Sequence, residues 1–189
     1  MHRKTVVRSI ISTNGSCFAY SDNTISWKTN SGFVSSNRLP TQTSVILGTK
    51  NANGELGKLI LGGNNGKVYV MSLPNLNIID EFDVGQSKIR CLTIVDDVGK
   101  RFLAGMENGE VWNLGEKVPN RKIKLFGIGG PISSLAVVND SILCQQGWTR
   151  RIFDWEGNER NSIKENEAYR PKYSQRIISP TAPKIRAIM

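Results

Sequence analysis

Short apolar segments separated by turns of Asn, Asp and Gly recur along this chain about every 40 residues. The stretch LILGGNNGKVYVMSL, residues 59–73, consists of an apolar run, an Asn-Asn-Gly turn and a second run rich in β-branched and aromatic residues. RFLAGMENGEVWNLG, residues 101–115, repeats the pattern, and CFAYSDNTISWKT and ILCQQGWTRRIFDW supply two further copies. Apolar runs of this length and composition on either side of such turns predict four strand-turn-strand units.

Each unit is flanked by two further strand-like segments. An apolar strand precedes each copy, in VVRSIISTNG, TSVILGTKNANG, IRCLTIVDDVG and ISSLAVVND. A weaker strand follows each copy, in GFVSSNRL, LNIIDEFDVG, RKIKLFGIG and ERNSIKEN. Four strands per repeat of this length are typical of β-propeller blades. We therefore predict an all-β fold of about four four-stranded antiparallel blades.

The predicted blades cover approximately residues 5–42, 43–86, 87–130 and 131–160, and a basic C-terminal extension covers residues 161–189. No window of twelve or more residues keeps an uninterrupted helical apolar stripe, which agrees with the all-β prediction.

The glycine cluster Gly62, Gly63 and Gly66 has two interpretations. A glycine-rich loop can cradle a phosphate, but that site needs a helix directly after the loop. Here the β-branched and aromatic segment Lys67–Met71 follows, and Pro74 soon ends it. We therefore interpret the cluster as a turn between two strands.

The phrase GGNNGKVYVMSLPNLNIIDEFDVG resembles a blade of the WD-repeat propellers, and equally of the quinoprotein-like propellers. The resemblance extends over about residues 5–160. The Trp-Asp pair that ends the third strand in the WD-repeat family is represented by Trp155-Glu156 in the fourth copy. The other copies have different residues at this place: Lys28, Met71 and Leu114.

Two family features are absent from this sequence. The Gly-His pair of WD repeats is missing, because the single histidine is His2. The docking tryptophan of quinoprotein-like propellers is missing from the fourth strands, so we predict no cofactor. The resemblance implies a non-enzymatic scaffold for protein–protein contacts.

Four blades would make a very small ring, because propellers of the families that this chain resembles usually have seven or eight. The segment KIRAIM, residues 184–189, repeats KIRCLT at the start of the third copy, which predicts one extra strand. Either the chain is half of a larger ring or it closes as an unusually small one. An unpaired strand edge invites a partner. Two explanations stay open for a half ring: a symmetric homodimer that completes eight blades, which we favour, or a fragment of a longer reading frame.

The net charge of +9 is concentrated at the two ends. Residues 1–10 and 168–189 contain basic residues and no acidic ones, whereas the repeats between them are nearly neutral. The basic residues of the tail are Arg170, Lys172, Arg176, Lys184 and Arg186. Converging basic ends would attract nucleic acid, anionic lipid or an acidic protein. We favour a solvated tail, and keep a nucleic-acid-associated propeller as the alternative function.

The three cysteines, Cys17, Cys91 and Cys144, fall in predicted strands without metal-site spacing. They indicate apolar packing in a reducing compartment, cytoplasmic or nuclear.

The N-terminal residues lack the apolar core of a signal peptide, and no run is long enough for a membrane helix. We therefore expect a soluble protein that does not contact a membrane.

Candidate catalytic groups are few. With His2 at the terminus, Ser-His-Asp, Cys-His and most zinc chemistries lack their base or ligand. The acidic clusters Asp80-Glu81-Asp83 and Asp96-Asp97 lie on an outer strand and in a turn, where solvated surface groups are usual. We therefore predict that the protein is not an enzyme and holds no metal.

The loops that join second to third strands form the candidate interaction surface. They carry Asn23, Asn64, Asn65, Glu107, Asn108, Trp148, Thr149 and Arg150. A tryptophan followed by two arginines has the composition of an interface hot spot, although Trp148 could instead fold back over the blade edge. The remaining tryptophans, Trp27, Trp112 and Trp155, are predicted in third strands as core residues. The predicted contact residues are Asn65, Glu107, Trp148, Arg150 and Arg151.

Overall fold

A computed structural model describes residues 4–96, 99–116 and 118–164. Within these ranges the chain forms sixteen β-strands and one short 3-10 turn, Pro119–Arg121, and contains no α-helix. The strands assemble into four antiparallel four-stranded sheets. The predicted all-β class with four blade-like sheets is thereby confirmed.

The strands of each sheet follow one another in chain order. The first sheet contains β1 (Val6–Ser12), β2 (Gly15–Tyr20), β3 (Thr24–Thr29) and β4 (Val34–Arg38). The second contains β5 (Thr43–Lys50), β6 (Leu56–Gly63), β7 (Lys67–Ser72) and β8 (Asn77–Asp83). The third contains β9 (Ile89–Ile94), β10 (Arg101–Met106), β11 (Glu110–Gly115) and β12 (Lys122–Gly127). The fourth contains β13 (Ser134–Val138), β14 (Ser141–Gln146), β15 (Thr149–Phe153) and β16 (Glu159–Lys164).

β16 extends across the repeat boundary that the sequence places at residue 160. The predicted extra strand at residues 184–189 lies outside the described residues.

The first strands of neighbouring sheets lie side by side. β1 contacts β5, β5 contacts β9, and β9 contacts β13. Because these are the innermost strands of their sheets, the four sheets are arranged like propeller blades around the side where the first strands meet.

Successive residues of a strand point to opposite faces of its sheet, and here both faces of the two middle sheets are apolar. We call the face that packs on the next sheet the trailing face, and the face that packs on the preceding sheet the leading face. Ile60 and Val68 lie on the trailing face of the second sheet, while Leu61 and Tyr69 lie on its leading face; all four are fully buried.

Among the described residues, the buried apolar side chains form three clusters, one between each pair of consecutive sheets. Cys17 and Trp27 contribute to the first cluster from the first sheet. Phe82 and Phe102 meet edge to face in the second, with ring centroids 5.5 Å apart. Phe126 and Phe153 stack in the third at 3.8 Å. None of these clusters joins the first sheet to the fourth, so the four sheets form an open arc.

Glycines allow the sheets and turns to approach one another closely. Gly66 ends the turn between β6 and β7 with a φ of +75°, and a Cβ there would overlap the carbonyl oxygen of Gly85. A Cβ on Gly62 would lie 2.6 Å from the Ile89 side chain of the next sheet. The glycine cluster is therefore needed for a left-handed turn and for sheet packing.

The three cysteines are buried and unpaired. Burial away from water raises the pKa of each thiol, Cys17, Cys91 and Cys144, to about 12. They pack as small apolar residues in the clusters between sheets.

Gly66→Ala should destabilise the protein much more than Gly54→Ala. Gly54 has nearly the same φ, +77°, but nothing lies within 4 Å of a Cβ built there. Gly54→Ala therefore measures only the loss in the free energy of unfolding that the left-handed backbone causes, about 1 kcal/mol. At position 66 the overlap with Gly85 adds about 1–3 kcal/mol to this loss. Urea unfolding measures both free energies. Equal losses in the free energy of unfolding would show that Gly66 does not contact Gly85 in the linker after β8.

The buried thiols should resist modification in the folded protein. An aromatic disulfide reagent at about pH 8 should react slowly with the native chain and rapidly with all three thiols in guanidinium, because the reactive thiolate is suppressed by burial. The same shift lowers stability in alkali: between about pH 9 and 12 the unfolded thiols lose protons that the folded ones keep. A native thiol that reacts as fast as free cysteine would contradict this burial.

Candidate interaction surface

The turns between second and third strands lie at one end of the four sheets. Three of them accept an equivalent hydrogen bond from the linker that follows their own sheet: Leu39 N–H donates to Asn23 O at 2.9 Å, Val84 N–H to Gly66 O at 3.1 Å, and Ile128 N–H to Gly109 O at 3.1 Å. We call this end the turn face. It consists of the turns 21–23, 64–66, 107–109 and 147–148, with the linkers beside them.

The asparagines of the turn face stabilise the turns. Asn65 is half-buried; its Oδ1 accepts a hydrogen bond from Lys67 N–H at 3.3 Å, and its Nδ2 donates to the Tyr69 hydroxyl at 3.4 Å. Asn108 Oδ1 accepts from Glu110 N–H at 3.2 Å in the same manner. The amides of these asparagines therefore contribute first to turn structure.

Glu107 lies beside a basic cluster near the innermost strands. Its Oε2 is 3.2 Å from Nη1 of Arg90. Arg90, Lys88 and Arg8 line a small cavity of about 160 Å³, together with Ser44, Ile89 and Ser133. Arg8 Nε donates to the Ser44 carbonyl at 2.6 Å, which holds the first sheet to the second.

Sequence reasoning did not identify the cluster of Arg8, Lys88 and Arg90. One signal was present: Arg8 in VVRS and Arg90 in KIRC both fall in the first strands of their repeats. The distance between these repeats could only be known once the sheets were placed around a common side.

The four tryptophans differ in exposure. Trp148, between β14 and β15, is 61% exposed, whereas Trp27 is 1% exposed and lies in the core. Trp112 is half-buried, and its Nε1 donates to Glu110 Oε2 at 3.2 Å. Trp155 lies beyond the end of β15 at Phe153, so its predicted place inside a third strand is wrong.

Trp155 instead connects the third and fourth sheets. The guanidinium of Arg101 lies 4.1 Å from its ring centroid, and its Nε1 donates to Asp140 Oδ1 at 2.9 Å. The residue therefore contributes a cation–π contact and a hydrogen bond at this junction.

Arg150 and Arg151 are consecutive residues of β15 and lie on opposite faces of the fourth sheet. Arg151 is on the leading face, where its Nη1 is 3.2 Å from Glu159 Oε2. Arg150 is exposed on the trailing face. The structure therefore does not bring both arginines together beside Trp148.

The acidic residues that the sequence groups at 80–83 and 96–97 make local contacts where the structure describes them. Asp80 pairs with Arg121 across two sheets. Glu81 Oε1 is 2.7 Å from Lys67 Nζ, and this hydrogen bond raises the pKa of Lys67. Asp96 Oδ1 accepts from Lys100 N–H at 2.8 Å, and Asp97 lies outside the described residues. In the part of the chain that the structure describes, no three His, Cys, Asp or Glu side chains are grouped as metal ligands.

The predicted basic tail, Arg170, Lys172, Arg176, Lys184 and Arg186, lies outside the described residues.

Comparison with known proteins supports the architecture. No protein-family model matches the chain. The chain is 27% identical over 106 residues to the ciliary WD repeat-containing protein ctxp80 of Euplotoides octocarinatus, a match that covers 56% of this chain and 14% of that relative. The crystal structure of the computationally designed Ika8 protein superposes with a TM-score of 0.71 at 16% identity, covering 87% of this chain and 51% of the designed one.

The fold is propeller-like. At 16% identity the likeness to the designed protein shows the fold alone, while the distant WD-repeat relative agrees with the arrangement of the sheets. Among residues 4–96, 99–116 and 118–164, no helix is long and apolar enough to cross a membrane.

Iodide quenching should identify Trp148 as the most accessible tryptophan. Trp148→Phe should remove a large part of the quenchable fluorescence, because iodide reaches only exposed indoles and Trp148 is 61% exposed. Trp27→Phe is the matched control, since it removes a tryptophan that is 1% exposed and should leave the quenchable emission unchanged. If Trp148→Phe leaves the quenchable emission unchanged, the indole is covered in solution.

Proposed function

We propose that this chain is a WD-repeat-like, non-enzymatic scaffold that binds a protein partner through its turn face. The observation that carries the proposal is Trp148, a large aromatic side chain that is 61% exposed on a two-residue turn. Exposed aromatic residues on a rigid framework are typical anchors of protein interfaces.

The sheets favour binding by holding three of the four turns in one geometry before the partner arrives. The linker hydrogen bonds at Asn23, Gly66 and Gly109 fix three turns to their own sheets. A surface that is already ordered loses less conformational entropy on binding than a flexible loop does. The partner would place an apolar pocket over the Trp148 indole.

The basic cluster of Arg8, Lys88 and Arg90 supplies the electrostatic part of the proposal. Glu107 forms an ion pair with Arg90, while the side-chain ammonium of Lys88 makes no ion pair or hydrogen bond with any described residue. An acidic segment of the partner would be attracted to this cluster, which raises the association rate more than the final affinity.

The distant relative, a WD repeat-containing protein described as ciliary, supports a scaffold that binds a protein partner. The chain spans only 14% of that relative, so a shared partner is not part of the proposal. The buried free cysteines favour a reducing compartment, the cytoplasm or the nucleus. Neither the comparisons nor the described residues favour the nucleic-acid alternative.

Affinity capture with three forms of the full chain tests this function. The baits are the wild type, Trp148→Ala, and Phe33→Ala, which removes an aromatic that is 51% exposed in the β3–β4 loop, at the opposite end of its sheet. A hot-spot aromatic contributes at least about 2 kcal/mol, so Trp148→Ala should weaken binding about thirtyfold. Phe33→Ala should capture the same proteins as the wild type, as measured by quantitative mass spectrometry of bound cell extract.

Two outcomes would overturn the proposal. Equal capture by Trp148→Ala and the wild type would show that the turn face is not the contact surface. Capture that disappears after nuclease treatment would show that the partners are held through nucleic acid.

A further inference from the structure

Among residues 4–96, 99–116 and 118–164, the two ends of the arc of sheets each leave one sheet face without a neighbouring sheet. The leading face of the first sheet carries Ile11, 75% exposed, and Val34, 58% exposed, with Phe18 and Tyr20 half-buried beside them. Apolar side chains on one uncovered sheet face are unusual in a monomer and mark interaction surfaces.

The trailing face of the fourth sheet is uncovered in the same way. Val138 is 51% exposed, and Leu143 and Ile152 are paired across strands and half-buried. These residues, with Asn139 and Ser141, line an open groove of about 320 Å³.

Position in the repeat shows what these faces do elsewhere in the chain. Cys17, Ile60, Leu103 and Leu143 each lie four residues before the turn that joins second to third strands. The first three lie on trailing faces and are fully buried by the next sheet. Leu143, at the same place in the fourth sheet, is the one that lacks a covering sheet among the described residues.

The leading faces give the same result in the opposite direction. Phe18, Leu61, Ala104 and Cys144 each lie three residues before that turn. Leu61, Ala104 and Cys144 are fully buried by the preceding sheet, whereas Phe18 of the first sheet is only half-buried. The chain therefore carries both halves of one further sheet–sheet junction, at opposite ends of the arc.

We infer that a second copy of this chain completes the ring. The leading face of its first sheet would pack on the trailing face of the fourth sheet of the first copy, as in the three junctions inside each chain. A two-fold axis along the ring axis forms the same junction twice and leaves no open face, which gives eight sheets in a closed dimer. A second copy fits because both missing faces belong to this chain in the orientation that its own junctions use.

Closure would also place the two turn faces on the same side of the ring, since the two-fold axis coincides with the ring axis. The dimer would display two Trp148 side chains and two basic clusters toward one partner. The inference itself rests on the uncovered faces alone and holds whether or not the turn face binds a protein.

Light scattering after size-exclusion chromatography tests the inference on the full chain. The expected mass is about 42 kDa, twice the 21.0 kDa of one chain. Val138→Asp on the trailing face and Ile11→Asp on the leading face should each halve the mass, because a carboxylate would be buried without a partner in both junctions. Both residues are well exposed in one chain, so these variants should keep the circular dichroism of the wild type.

Ile79→Asp is the matched control. Ile79 is 51% exposed, as Val138 is, but it lies on β8 at the outer edge of the second sheet, away from both uncovered faces. This variant should remain a dimer.

Mixing the two monomeric variants tests the head-to-tail arrangement. In a mixed pair one junction carries both substitutions and the other carries neither, so Val138→Asp with Ile11→Asp should form a two-chain species under conditions where each alone is monomeric. A full chain that stays monomeric, or a dimer that survives both substitutions, would overturn the inference. So would species that grow beyond two chains, because they would show an open chain of contacts instead of a ring.

Discussion

The burial of both faces of a β-sheet is the constraint on which this structure depends. Side chains alternate across a strand, so a strand such as β6 sends Ile60 to one side and Leu61 to the other, and both are fully buried. A sheet of this kind cannot face water on either side without exposing apolar surface. Each sheet must therefore lie between two others, and an arc of sheets whose first strands meet on one side satisfies the requirement at every position except the two ends.

The turn face follows from the same packing. Because Gly62 lets the second sheet approach Ile89 of the third, and Gly66 lets the turn approach the linker at Gly85, turns and linkers lie close enough for repeated hydrogen bonds. The left-handed conformation at Gly66 is thus tied to sheet packing as well as to the turn itself. Trp148 is displayed on the same framework, which is held together by the apolar clusters between sheets.

The sequence predicted the sheets because strand alternation and Asn-Gly turns are local signals that recur with the repeat. It predicted the buried state of Trp27 and the place of Trp148 in a turn for the same reason. The sequence wrongly placed Trp155 inside a third strand. The end of β15 depends on its pairing with β16, which the sequence does not show. Local patterns could not reveal the grouping of Arg8 with Lys88 and Arg90, because it depends on how whole sheets are placed. The same placement decides that the sheet face of Arg151 meets a neighbouring sheet while the face of Arg150 remains uncovered.

Differences among the repeats indicate how strong the proposed junction between copies is. Five residues before the turn, the leading faces of the second, third and fourth sheets carry Leu59, Phe102 and Ile142, and all three are fully or almost fully buried. The first sheet has Ser16 at this position, and exposed Lys28 lies nearby on the same face. A junction that includes a serine and a lysine buries less apolar surface than the inner three, so it contributes less free energy per contact. Ser16 and Lys28 also keep the first sheet compatible with water before assembly. This is expected for a dimer that forms at high protein concentration and dissociates at low concentration.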